Sequence, residues 1–180
     1  MYKFIFSFAL IIAAPALHAQ KIEGEIGVLG AVNVKTERYL YGGNLGLKTR
    51  LKGGESLGIG ASAFLMNSAR NRWVPVYGDV RIPVVSNVEL TLQPGYTIYE
   101  SSLAIPGTLK SRTKGSFYAG GGLTAYSPLK GGKRFFFQMK YNYFTFDCKV
   151  TTYLPNYQSV TREVKLKDHI LSMGLGLAFR

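Results

Sequence analysis

From residue 21 to the C-terminus, apolar residues alternate with small or polar ones in eight segments of about ten residues. In the first segment Ile22, Ile26, Val28 and Val32 share one face, and in the last Leu171, Met173, Leu175, Leu177 and Phe179 do. A period of two marks a β-strand, because successive side chains leave opposite sides of the pleat. The pattern predicts strands near 21–33, 41–51, 56–66, 74–84, 87–99, 115–126, 133–146 and 168–180. Connections alternate in length. Lys52-Gly53-Gly54-Glu55 and Val85-Ser86-Asn87 are tight, and 127–132 is a little longer, with Pro and Gly as turn formers. The others, near 34–40, 67–73, 100–114 and 147–167, are longer. Within the last, Val150–Tyr153 and Val160–Val164 read as strand around a Pro155-Asn156 turn, which predicts a hairpin standing beyond the other strands. Pro75, Pro83 and Pro94 each remove a ladder donor, so irregular pairing is expected around them.

The character of the two faces decides which one points outward. The apolar face is expected to hold no charged residue, His, Asn or Gln. Many of its members are bulky: Leu45, Leu47, Leu90, Leu92, Phe117, Phe135, Phe137, Tyr141 and Tyr143. An eight-stranded interior is already filled by modest side chains and has no room for that set. The opposite face is rich in glycine (Gly27, Gly42, Gly46, Gly58, Gly60, Gly95, Gly120, Gly122, Gly174, Gly176), which suits a crowded lumen. Its charges also balance, Glu23, Glu25, Asp79 and Glu89 against Lys48, Arg50, Arg81 and Lys140. Charges held away from water need partners, whereas a wet exterior needs no such matching. A soluble lipocalin-type barrel, apolar inside, is therefore the weaker reading. An apolar outside faces lipid, and a sheet edge in lipid leaves backbone groups unpaired at several kcal/mol each. These constraints predict a closed eight-stranded antiparallel up-and-down transmembrane β-barrel with an ion-paired lumen. Tyr39, Tyr41, Trp73, Tyr96, Tyr99, Tyr126, Phe135 and Phe146 lie near strand ends and are expected to form interfacial girdles.

The first residues read differently. Lys3 precedes an apolar run from Phe4 to Ala14 broken only by Ser7, then Pro15 and the small Ala19. This is the layout of a secretory signal peptide over residues 1–19, followed by one barrel domain over 20–180. No later stretch reaches the roughly 18 apolar residues of a membrane helix. The one cysteine, Cys148, has no internal partner for a disulfide.

Chemistry is sparse. A Ser/His hydrolase needs the two side chains within hydrogen-bond reach. His169 and Ser172 are three residues apart, an odd spacing that puts them on opposite faces of a strand. Gly58-Ile-Gly60-Ala-Ser-Ala63 loosely matches a dinucleotide fingerprint, but no helix follows it, so no cofactor is expected. One His with one Cys is too little for a metal site. The net charge of +12 gathers outside the predicted strands, at Arg70, Arg72, Lys110, Arg112, Lys114, Lys149, Arg162, Lys165 and Lys167. Such a basic rim would meet the phosphates and acidic sugars of a lipopolysaccharide leaflet favourably. A surface location argues against nucleic acid as the partner.

The chain resembles the small eight-stranded outer-membrane β-barrels of the OmpA/OmpX-like type, in its strand count, its loop alternation and its closing Ser172-Met-Gly-Leu-Gly-Leu-Ala-Phe179. That last strand looks like the family's C-terminal assembly signal, although Arg180 follows the aromatic residue. The resemblance implies export to the bacterial outer membrane through the barrel-assembly machinery. Members of the family act as anchors, adhesins, defence factors, enzymes or small pores. Three readings follow for this chain: a structural or surface-interaction protein acting through its extracellular loops, a narrow pore past the lumen charges, or a lipid-modifying enzyme. The first is expected here.

Overall fold

The computed structural model describes residues 22–66, 72–100, 108–153 and 159–179. They form β1 (Ile22–Asn33), β2 (Arg38–Arg50), β3 (Ser56–Met66), β4 (Arg72–Val85), β5 (Val88–Glu100), β6 (Thr108–Pro128), β7 (Arg134–Tyr153) and β8 (Ser159–Phe179). Each strand pairs antiparallel with its neighbour in sequence, and β1 pairs with β8 from Gly24↔Phe179 to Asn33↔Ile170, so the sheet closes into a barrel. The predicted signal segment and the Pro155-Asn156 turn fall outside the described residues. Among those described, no helix is long and apolar enough to cross a membrane.

The outer wall is apolar. Ile22, Ile26, Val28, Leu45, Leu47, Ile59, Val76, Leu92, Ile98, Phe117, Phe137 and Leu171 through Phe179 at alternate positions are all exposed. The lumen-facing positions are buried and hold glycine where neighbouring strands close in. A Cβ on Gly42 would lie 1.7 Å from the Ala63 carbonyl oxygen, and one on Gly122 would lie 2.0 Å from that of Met139. No side chain fits at either position.

Proline acts unevenly. The β4–β5 register shifts between Pro83 and Val85, and the β3–β4 ladder skips Ser62 and Ala63 opposite Val74 and Pro75 before resuming in the same register. The β5–β6 ladder runs unbroken through Pro94↔Ala119.

The largest departure from expectation lies in the last three strands. β6 begins at Thr108 and β7 and β8 meet at Tyr153↔Ser159, so most of the stretches read as loops, 100–114 and 147–167, are strand. The hairpin expected in the second of these is present, and β6 joins it. Pairing of β8 with β1 ends at Asn33↔Ile170, and pairing of β5 with β6 ends at Tyr96↔Phe117. Beyond those points β6, β7 and β8 pair, among the described residues, only with one another, as a three-stranded sheet rising from one side of the rim. Ser159 to His169 alone adds about 35 Å of strand at ~3.3 Å per residue.

Candidate functional site

The lumen is built in three tiers. At the end bearing the termini and the short turns lies an ionic tier. Lys48 Nζ is 2.8 Å from Glu25, 3.1 Å from Glu23 and 3.6 Å from Glu89. Arg81 spreads its guanidinium over two carboxylates, with Nε 2.8 Å from Asp79 and Nη2 2.5 Å from Glu25. A planar fork of fixed donors suits that double contact better than an ammonium does. Arg50, 39 % exposed at the rim, reaches Glu89 at 2.8 Å. Tyr126 stands at the centre: its hydroxyl accepts from Lys48 at 2.6 Å and from Arg81, and donates to Glu25 at 2.8 Å.

Two residues change the expected network. Arg134 closes on Glu23 at 2.5 and 2.7 Å and stacks its guanidinium 3.9 Å from the Tyr126 ring centre. Lys140 does not join the tier. Its ammonium is buried one tier higher, donates to Gln93 Oε1 at 3.2 Å, and lies 5.8 Å from the Tyr77 ring. The ionic tier thus pairs four cations with four carboxylates, with Arg134 in the place assigned to Lys140, and Lys140, also buried in the lumen, is a fifth cation outside the expected balance. Gln93 links the two levels, because its amide nitrogen donates to Asp79 at 3.0 Å.

The middle tier is uncharged apart from Lys140. Tyr118 donates to Asn142 at 2.9 Å, Asn142 donates to Ser172 at 2.8 Å, Gln138 donates to Asn44 at 3.2 Å, and Thr91 bonds Thr124 at 3.0 Å. Above it, towards the long connections, lies an apolar lid of Leu29, Leu40, Phe64, Trp73, Phe144, Phe146 and Ile170. Phe64 meets Phe144 edge-on at 5.9 Å, and Phe144 stacks on Phe146 at 6.2 Å.

This lid corrects the expected girdle. Trp73, Tyr126 and Phe146 are buried in the lumen, while Tyr39, Tyr41, Tyr96 and Phe135 are exposed on the wall. Strand parity carried the signal: Trp73 shares a face with Arg81, Tyr126 with Gly122, and both Phe146 and Arg134 with Lys140. His169 is a second correction. It lies on the outer wall, expected to be free of His, hydrogen-bonded through Nδ1 to the Tyr141 hydroxyl, with the Tyr143 ring 5.2 Å away. Ser172 is buried on the opposite face, in the lumen.

The basic positions read as loop residues are mostly strand residues. Lys110, Arg112 and Lys114 belong to β6, Lys149 to β7, and Arg162, Lys165 and Lys167 to β8; Arg72 opens β4, and Arg70 lies outside the described residues. Most of the expected basic loop surface is therefore strand of the rising sheet. On its outer face charge alternates across the strands: Lys149 pairs with Glu163, and Asp147 stands opposite Lys165. On the other face Val160, Val164 and Leu166 are exposed.

A groove of about 500 Å³ opens on the outer wall, lined by Ile26, Leu45, Leu47, Ile59, Val76 and Phe179. Among the described residues no three His, Cys, Asp or Glu side chains gather as a metal site would require.

The chain matches no protein-family model, and no curated protein matches it in sequence. Solved structures do match. Neisserial surface protein A shares 10% identity over 88% of this chain and 94% of its own, with a TM-score of 0.57. The outer membrane protein AlkL, solved in lipid bilayers, shares 10% over 88% of each chain at 0.56. OprG from Pseudomonas aeruginosa shares 12% over 88% and 93% at 0.52. The fold is that of the small eight-stranded outer-membrane barrels. At this identity the likeness describes the backbone. What this barrel does has to be argued from its own side chains.

Proposed function

We propose that this chain is an integral protein of the bacterial outer membrane that acts at the cell surface through the rising β6–β8 sheet, with its lumen plugged. The apolar wall supports the membrane location, since exposed Leu, Ile, Val and Phe around a whole barrel are costly in water and ordinary in lipid. The observation that carries the surface role is the sheet itself. Among the described residues β8 from Ser159 to Asp168 has a ladder partner on one side only, and an open strand edge pairs readily with another extended chain. The alternating charges along it keep such an edge soluble. The lumen argues against a pore. Four ion pairs' worth of charge closes one end and a packed aromatic lid the other, so a solute would have to break both. The separation of His169 from Ser172 removes the one hydrolytic pair considered above.

Three measurements test this reading. The folded barrel in cold detergent should migrate differently on a gel before and after boiling. In planar bilayers it should show no steady conductance, and openings in the wild type that change in Arg81→Ala would overturn the plugged lumen. In intact cells, a Cys148→Ser/Thr161→Cys variant should react with a membrane-impermeant maleimide, while Cys148→Ser/Lys52→Cys should react only after lysis. The reverse pattern would put the sheet in the periplasm and remove its surface role.

A further inference from the structure

We propose that the outer wall at the junction of β7, β8 and β1 is a binding site for a phosphorylated lipid of the surrounding outer leaflet. This rests on the membrane reading above and assigns a partner to part of its surface.

The wall changes chemistry over three residues of β8. Leu171 and Met173 are exposed apolar positions; His169 follows, then Lys167, on the same face. Around His169 the aromatic rings gather. Tyr141 is 45 % exposed and bonds its imidazole, and Tyr143 stands across the strand from it. The β1–β2 turn is tied to the same spot, because the Val34 amide donates to the His169 carbonyl at 2.8 Å. Lys35 follows Val34 in that turn, and Lys35 and Lys167 are both exposed. Nearby acids are few: Glu37 shares the β1–β2 turn with Lys35, Asp147 stands opposite Lys165, and Asp168 points to the other face of β8. Lys167 has the neutral Thr145 across from it.

Below this cluster the wall offers a shallow notch. Gly30 is an outward position of β1 with nothing within 4 Å of where a Cβ would stand, beside Met173 on β8 and Tyr41 on β2. An acyl chain lying in that notch would bring its headgroup level with the imidazole and the two lysines. Phosphate is the group that suits them: two ammonium groups and an imidazole, at a membrane boundary where the attraction is less screened than in bulk water. The Tyr141 hydroxyl engages Nδ1, so Nε2 is the imidazole nitrogen left for a phosphate oxygen.

The test uses the full barrel folded into phosphatidylcholine vesicles, with heat-modifiable gel migration read as a melting midpoint. Diphosphoryl lipid A added at a few per cent should raise the midpoint of the wild type. Lys35→Ala/Lys167→Ala should bind that lipid roughly thirty-fold more weakly and lose most of the rise. Arg162→Ala/Lys130→Ala, which loses the same charge on the opposite face of β8 and at the far end of the barrel, should keep it. Equal rises in both double variants would overturn the site, as would a rise of the same size from inorganic phosphate alone. Folding with a normal gel shift but no response to lipid A would sink this proposal and leave the membrane reading standing. No gel shift at all would sink both.

Discussion

Arg81 is the residue on which the ionic tier depends most, and Arg81→Leu tests that. The substitution keeps apolar volume but deletes contacts to Asp79 at 2.8 Å, to Glu25 at 2.5 and 3.0 Å, and to the Tyr126 hydroxyl. Asp79 would keep only the Gln93 amide, and Glu25 would keep Lys48 and Tyr126. Removing one partner of a buried pair typically costs 3–5 kcal/mol, because the remaining charge stays desolvated. About 4 kcal/mol corresponds to a fall of about 2 M in urea midpoint at a slope near 2 kcal/mol per M. Arg50→Leu is the control: its one carboxylate contact sits at the rim with the side chain 39 % exposed, so the cost should stay below about 1 kcal/mol. Asp79→Asn/Arg81→Leu should recover part of the loss, since Asn still accepts from Gln93 and no longer strands a charge. The assay is urea unfolding from lipid vesicles, followed by tryptophan emission and by gel migration. A midpoint for Arg81→Leu no lower than that of Arg50→Leu would refute the argument, because it would mean water reaches the tier and screens it.

Trp73, the single tryptophan, should emit as a buried indole and resist quenching both by acrylamide and by lipids brominated along their chains, since it lies in the lumen lid at 2 % exposure; strong quenching by brominated lipid would return it to the wall. Gly42→Ala should destabilise by about 2 kcal/mol or more, because the added methyl meets the Ala63 carbonyl. Gly30→Ala should instead be neutral or stabilising by about 0.5 kcal/mol, as its Cβ meets nothing; equal effects in urea titration would contradict the close strand approach at Gly42. A double-mutant cycle on Lys149 and Glu163 should give a coupling under about 1 kcal/mol that fades in high salt, given how exposed both are.

Much of this protein follows from its alternation. The period of two marks eight strands, and the bulk of one face and the glycines of the other decide which way each points. Lipid then requires closure, because no edge can be left unpaired there. The same parity would have placed Trp73, Tyr126, Phe146 and Arg134 in the lumen, had position near a strand end not been given more weight. Two things were beyond the pattern. A strand's face does not reveal the height at which a residue sits once strands tilt and stagger around a barrel. Only the closed structure therefore decides that Arg134 meets Glu23 while Lys140 rises to Gln93. The rising sheet was the other. Where both faces of a strand are wet, burial imposes no alternation, so Lys110, Lys149 and Lys165 look like loop residues until the ladder pairs their backbones. The sequence alone determined the barrel and its lipid-facing wall, for which one buried face per strand is sufficient information. The tertiary structure decided the plug and the exposed sheet, which depend on contacts between residues far apart in the chain.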